Sequence, residues 1–480
     1  MRTGRGTVDY RASFLLLVAS FLLDTGCGVD KPAGPPTGWA DGVRLATPVD
    51  QDGDPTRLEL TLEARASVLP ILDDVMTPVW TYDGAVPGPL LRARKGDRLT
   101  VHFVNNLPEA STVHWHGIRL PAAMDGVPDH SQPPVPPGAT FDYSFVLPDA
   151  GLFWYHPHAD SARQVGFGMY GAILVEDPAE PPDLGDEVVL VLSDMAIGPD
   201  GSIVEPVDDA RQIVRGHEGD TLLVNGRVRP TLRARSGRRQ RWRLVNAAKS
   251  RYFQLALAGH TFTRLGTDGG LLEAPDAPVD KVMIVPGERA DLLVTPTGTP
   301  GDTLPVQFVP YDRGFGTADE GGARPLFYVA ITEGADGLVE APLPARLRNI
   351  AAINPTGANQ RDISLTVTTV DGRVVMGING VPADKAPAVL ATLGQTDVWT
   401  IRNTVAFDHP FHFHGFFFQP LDPVTGTALP SPTWRDTFNI PAMQTVKIAV
   451  HYDERPGMWM FHCHILDHAD AGMMGMLLLK

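Results

Sequence analysis

Cysteine is nearly missing from this sequence: 480 residues contain two, Cys27 and Cys463. Cys27 ends an N-terminal leader, and if it is removed or modified there, Cys463 has no partner within the chain. Cys463 is then a buried apolar residue, a reactive thiol or a metal ligand. An exposed free thiol is a liability in an oxidising compartment, which gives weight to the metal ligand. Positive charge is also short, with 40 Lys and Arg against 56 Asp and Glu for a formal charge of -16. That balance disfavours nucleic acid as a partner, because a phosphate backbone needs clustered cations. The one basic stretch, RSGRRQRWR from Arg235 to Arg243, reads as a solvated strand face and turn. Long apolar runs of helical period are scarce, while 48 Gly and 44 Pro punctuate the chain. Many short strands joined by turns are expected, hence an all-β protein of roughly two to four domains.

The leader has Arg2, Arg5 and Arg11 ahead of an apolar stretch from Phe14 to Leu23. That stretch is too short to span a bilayer comfortably and reads as the core of an export signal. Cys27, behind Thr25 and Gly26, stands where a bacterial lipoprotein signal places its acylated cysteine. Asp24, however, occupies the usual leucine position, and there is no twin-arginine pair. Lipid anchoring through Cys27, cleavage with secretion, and retention of the leader are the three outcomes. Export to the periplasm or cell surface is the expectation, with residues 1–27 as signal and 28–55 as a flexible spacer.

Three stretches look alike: YDGAVPGPLLRARKGDRLTVHFVNN from Tyr82, VNGRVRPTLRARSGRRQRWRLVN from Val224 and INGVPADKAPAVLATLGQTDVWTIRN from Ile378. Each carries a Gly (Gly96, Gly237, Gly394) followed nine residues later by Asn (Asn105, Asn246, Asn403). Repeats of this kind imply three similar domains, expected at 56–177, 186–335 and 360–480. Period-two alternation in RLTVHFV and QRWRLV suits half-buried strands of antiparallel sandwiches. The first and third copies continue alike, with Gly151 and Gly457 five residues ahead of His156 and His462 and a Gly-Met-x-Gly strand after them. The middle copy has VPGERADLLV there and no histidine cluster. It reads as a sandwich that has lost the chemistry.

Ten of the fifteen histidines fall into four clusters: HWHG (His114, His116), WYHPH (His156, His158), HPFHFHG (His409, His412, His414) and HCHILDH (His462, His464, His468). A single H-x-H pair is a weak signal, but four in two repeats are not. On a strand, residues two apart share a face at roughly 6–7 Å, so His462 and His464 project to one side and Cys463 to the other. Cys463 therefore serves a different metal site from its neighbours. A thiolate with two imidazoles, His409 and His468, and a weak axial Met473 is the ligand set of a blue-copper electron-transfer centre. The eight other histidines form four pairs, enough for a cluster of several metals. Imidazole suits copper, zinc, iron or nickel, and the thiolate with thioether singles out copper.

With these motifs the chain resembles the three-domain multicopper oxidases, the family of laccase, ascorbate oxidase and bacterial cuprous oxidases. The resemblance implies three cupredoxin-like Greek-key sandwiches and four copper ions, one type 1, one type 2 and two type 3. His409, Cys463, His468 and Met473 would hold the type 1 ion, and His114 and His412 the type 2 ion. One type 3 ion would take His116, His156 and His464, the other His158, His414 and His462. The implied reaction couples four one-electron oxidations to reduction of dioxygen to water. Asp125 matches the family's proton-supplying carboxylate, against a reading as a turn residue in MDGVPD. Ala469 replaces a Glu found in some bacterial relatives, leaving Asp467 or Asp470 as substitutes. Asp436 in WRDTF matches a position beside the type 1 site, where it would steer a phenol proton or a metal ion, or serve structurally. A laccase-like oxidase of phenols or aromatic amines is the leading expectation. The alternatives are a metallo-oxidase for cuprous or manganous ion, and a non-catalytic copper-binding envelope scaffold, a kind of relative that has lost ligands where this chain has kept them. No methionine-rich insert is present, and Met443, Met458 and Met460 read as strand-core residues.

Overall fold

The structure is a computed structural model and describes residues 42–73, 75–205, 210–314, 321–370 and 373–480. The leader, Cys27 and the first part of the spacer lie outside the described residues. Strands take 47% of the chain and helices 5%, which makes it an all-β protein. Six sheets build three two-sheet sandwiches, one for each sequence repeat.

In the first sandwich Val75–Tyr82, Arg57–Leu72, Arg98–Asn106 and Thr140–Val146 lie side by side in that order. The facing sheet runs Leu91–Arg94, Gly171–Glu176, Gly151–His156 and His114–His116. The third sandwich repeats this order, with Val389–Ala391, Met474–Leu479, Gly457–Cys463 and His409–Phe413 leading the sheet that carries its histidines. Arg98–Asn106 shows the expected alternation, burying Leu99, Val101 and Phe103 against Trp115 and Tyr155 of the facing sheet. The sheets are mixed rather than wholly antiparallel: Arg57–Leu72 runs parallel to Arg98–Asn106, and Asn359–Val370 parallel to Thr396–Asn403.

The asparagine of each repeat has the same task. Asn105, Asn246 and Asn403 are buried at the end of a strand. Each donates its side-chain amide to two loop or strand carbonyls, Asn403 also to a third, and accepts the N–H two residues ahead. An amide that saturates three buried backbone groups fixes the path of the chain leaving the strand. In the first and third copies that path leads to His114–His116 and His409–Phe413.

Two sequence expectations are corrected. Arg241 and Arg243 are buried, not solvated, because Gln240–Asn246 is an inner strand of its sheet and buried on both faces, and Arg239, just ahead of that strand, is buried too. Carboxylates reach in to pair with them: Glu340 with Arg239 at 2.9 Å, Glu180 with Arg241 at 2.7 Å and Glu187 with Arg243 at 2.8 Å. Met443 is 68% exposed with φ 59°, at a turn between strands rather than in a core. Only Met460 of the three is buried.

Candidate metal centre

Two pairs of adjacent strands deliver the histidines. His114 lies opposite His156 in the first domain, and His412 opposite His462 in the third. The eight imidazoles of the four pairs meet between these domains, all buried. His116 Nδ1 lies 3.3 Å from His464 Nε2, and His414 Nε2 lies 3.1 Å from His462 Nε2. Across the domain boundary the His116 and His412 rings stack at 3.7 Å and the His114 and His414 rings at 3.9 Å. Nitrogen atoms form overlapping trios within 4.8 Å: His114, His412 and His414; His114, His116 and His156; His158, His414 and His462.

Backbone carbonyls only accept, so a ring nitrogen facing one must carry the proton. His114 Nδ1 donates to Asp125 O at 2.8 Å, His156 Nδ1 to Pro157 O at 2.9 Å, His412 Nδ1 to Asp436 O at 2.8 Å and His462 Nδ1 to Cys463 O at 2.8 Å. Their Nε2 atoms are therefore bare lone pairs. Those of His114, His156 and His412 are buried without a hydrogen-bond partner, as is Nε2 of His158. Each such acceptor costs on the order of 1–3 kcal/mol if left empty-handed. Convergent, tautomer-fixed lone pairs are what metal ions require of imidazole ligands. Burial, and after it the neighbouring imidazoles, holds His158 and His414 well below the usual histidine range, in the neutral, ligating form.

His409, Cys463 and His468 form a separate buried trio with ligand atoms within 4.8 Å. The strand ends at Cys463 rather than running on through His464; its geometry sends the Cys463 thiol away from His462, and Sγ lies 3.5 Å from His468 Nδ1. The short helix Leu466–Asp470 turns the chain back, so that Met473 N donates to His468 O at 2.9 Å and Cys463 N to Met473 O at 3.1 Å. Met473 is fully buried beside them. Burial pushes the Cys463 thiol up to about 12, so a metal ion binding there must displace its proton. This sulfur and nitrogen set fits copper. Replacing a weak thioether donor with Leu removes axial electron density that stabilises the oxidised ion. Met473→Leu is therefore expected to raise the potential of this site in a redox titration while the fold survives a volume-conserving exchange.

Asp125 is 1% exposed and accepts His414 Nδ1–H on Oδ2 at 2.8 Å, with Oδ1 3.3 Å from His114 Nδ1. It touches the histidine cluster directly. Asp436 requires a correction. It does not flank the thiolate site with a free carboxylate for a donor. It is 1% exposed and lies against the cluster, 3.2 Å from His116 Nε2 and 3.5 Å from His412 Nδ1, ion-paired with Arg289. Burial works to raise its pKa, but the guanidinium and the hydrogen bonds outweigh burial and hold it below the usual carboxylate range. Asp467 is occupied by His217 at 2.7 Å, Ser250 at 2.8 Å and Lys249 at 3.5 Å. Asp470 is exposed and accepts Ala162 N at 2.8 Å. Neither has a hydrogen bond to a cluster histidine among the described contacts.

Sequence reasoning missed Arg289, Asp268 and Gly287, all from the middle domain. The available signal was the charged ERAD within the otherwise apolar VPGERADLLV. It also missed the cover of the thiolate site: His468 Nε2 donates to Val214 O at 3.1 Å, from the short helix Ala210–Arg215.

Three cupredoxin-like sandwiches, with an imidazole cluster between the outer two and a thiolate site beside it, define a copper oxidase. Family models described as "Multicopper oxidase" match residues 64–180, 186–304 and 353–480. The multicopper oxidase MmcO of Mycobacterium tuberculosis is 31% identical over 82% of this chain and 81% of its own. A laccase of Bacillus subtilis is 28% identical over 89% and 95%. The solved multicopper oxidase of Campylobacter jejuni, described as a metallo-oxidase, superposes with a TM-score of 0.80 at 26% identity, covering 94% of this chain and 96% of that one. The chain belongs to the multicopper oxidase family and is a copper-dependent oxidase.

Proposed function

We propose that this oxidase is laccase-like, taking electrons one at a time from phenols or aromatic amines, and that it holds four copper ions. His409, Cys463, His468 and Met473 hold the type 1 ion. His114 and His412 hold the type 2 ion, and His116, His156 and His464 with His158, His414 and His462 hold the type 3 pair. Bound copper supplies one-electron acceptance at the thiolate site and the reduction of dioxygen to water at the cluster. The chain contributes the rest. Cys463 is covalently joined to His462 and His464, so the two sites share one strand. Carbonyls and carboxylates fix the imidazole tautomers, burial excludes water, and Asp125 Oδ2 holds a proton-exchanging position at His414 Nδ1.

The observation that carries the donor class is a cleft of about 750 Å³ beyond the helix Ala210–Arg215, lined by Phe167, Gln212, His217, Lys249 and Arg251 among others. It has room for an aromatic ring and polar groups to orient a hydroxyl, and Met195 is the only thioether among the described residues that line it. A cuprous ion prefers several soft ligands. The closure of His468 by Val214 O favours the second reading, a metallo-oxidase, since no donor can rest directly on that imidazole. Steady-state oxidation of a methoxyphenol and of cuprous ion by copper-loaded protein separates them: the phenol is expected to have the higher kcat/KM, and the opposite order would make it a metallo-oxidase.

The basic and apolar leader supports export to the periplasm or cell surface, with Cys27 as a candidate lipid attachment point. No helix among the described residues is long and apolar enough to cross a membrane. Cell fractionation together with the mass of the mature N-terminus tests this reading.

A further inference from the structure

The middle domain contributes no histidine to the cluster, yet it touches three of the imidazoles directly or through one residue, Asp436. Arg289 opens the strand Arg289–Val294 and is 1% exposed. A guanidinium has five N–H donors, and all are placed. Nε donates to Leu152 O of the first domain at 3.1 Å. Nη1 donates to Gly287 O at 2.9 Å and to Asp436 Oδ1 of the third domain at 2.7 Å. Nη2 donates to Asp268 O at 3.3 Å and to Asp436 Oδ2. Asp268, fully buried in the same domain, accepts Arg289 N on Oδ1 at 2.8 Å and Asp436 N and Thr437 N on Oδ2 at 3.2 and 3.1 Å. Both the side chain and the backbone of Asp436 are thus held from the middle domain.

Asp436 Oδ1 passes this constraint to a ligand. It accepts His116 Nε2–H at 3.2 Å, alongside Thr437 Oγ1–H at 2.9 Å; with its own proton given to Asp436, Thr437 Oγ1, also 3.2 Å from His116 Nε2, faces that N–H as a second acceptor. His116 is consequently protonated on Nε2 and presents Nδ1 to the cluster, the reverse of His114, His156, His412 and His462. The Asp436 backbone carbonyl fixes the opposite tautomer in His412 at 2.8 Å. A second contact is independent of the carboxylate. Gly287, with φ +83°, lies flat against His464, and a Cβ there would stand 2.8 Å from Cγ and Cδ2 of that ring.

We propose that the middle domain is a positioning clamp on the histidine cluster, in which Arg289 acts through Asp436 to orient His116 and Gly287 sets the plane of His464. The proposal rests on the reading that these histidines hold copper. Groups that orient metal-bound imidazoles contribute about 10–100-fold in metal affinity. A bidentate guanidinium is not replaced by an ammonium, which can satisfy only one carboxylate oxygen at a time in the same geometry.

The test is a copper titration of the full chain against a competing chelator, with blue absorption reporting the thiolate site and electron paramagnetic resonance the histidine-bound ions. Arg289→Met is expected to weaken the histidine-bound copper about 10–100-fold while the blue band persists, and Arg289→Lys to recover only part of the loss. Gly287→Ala is expected to alter the near-ultraviolet and resonance signals of the cluster and leave the blue band unchanged. Where Arg289→Met does not fold, Arg289→Lys, which keeps the buried charge, decides. Folded Arg289 variants and Gly287→Ala with wild-type affinity and unaltered cluster signals would overturn the proposal. Wild-type protein with blue copper alone would overturn both this proposal and the cluster reading beneath it.

Discussion

Cys463→Ser is expected to give a colourless protein without turnover that still binds copper at its histidines. The intense visible band of such a site arises from charge transfer between a thiolate and copper, and Cys463 is the only free cysteine among the described residues. A serine hydroxyl at the same buried position, 3.5 Å from His468 where Sγ now stands, is a harder donor with no comparable transition. The substitution should not spread to the cluster. His462 projects from the opposite face of the strand and His464 follows just past its end, and their positions are fixed by contacts that exclude the thiol: His462 Nδ1 to a backbone carbonyl, and His464 N to Pro410 O at 2.7 Å. Absorption and copper content measured on one sample separate the two sites. A variant that remained blue would remove Cys463 from the thiolate site. Loss of all copper would show that the two sites do not form independently.

What was legible in the sequence was local. The three asparagines at a fixed interval from glycine announced the repeat because each does the same backbone work in its own domain. The histidine pairs announced the cluster because an interval of two keeps both rings near one end of a strand: His114 and His116 share a strand, while His158, His414 and His464 lie one or two residues past the ends of theirs, and the alternation of Cys463 against His462 separated the two sites. What was not legible depends on contacts between domains. Period two says which face of a strand is covered by its own sandwich and nothing of what lies on the other. Hence the arginines of Gln240–Asn246 read as solvated although the far side of their sheet is also covered. Asp436 has the same history: its place in WRDTF is a short step from the third domain's histidines, but its guanidinium partner is 147 residues away in the middle domain. The apparent loss of chemistry from the middle repeat reflects the absence of ligands, while its buried charges act one contact further out.

The second large effect is expected at Asp125. Full reduction of dioxygen consumes four protons, and they have to cross a buried shell to reach the cluster. Among the described residues two carboxylates touch cluster histidines through their side chains, Asp125 and Asp436. Asp436 is committed to Arg289 with both oxygens, and protonating it would break a buried ion pair, at a cost of several kcal/mol. With Ala469 in place of a carboxylate, Asp467 tied to His217, Ser250 and Lys249, and Asp470 bonded to the backbone of the first domain rather than to a cluster histidine, proton delivery is expected to fall first to Asp125. Asn at this position is nearly isosteric, and its carbonyl oxygen still accepts His414 Nδ1–H, so the imidazole keeps its tautomer. What it lacks is the capacity to take up and release a proton in the range where a carboxylate does. Asp125→Asn is therefore expected to leave reduction of the blue site by a phenol almost unchanged, and to slow reoxidation by dioxygen by about 10²–10⁴-fold, the usual contribution of a positioned acid–base group. Stopped-flow measurement of each half-reaction separates the two, with copper content as the control. Normal reoxidation with a full copper complement would return Asp125 to a structural turn residue and place proton delivery on another acid, of which Asp470, exposed at its outer edge, is the first to exchange for Asn.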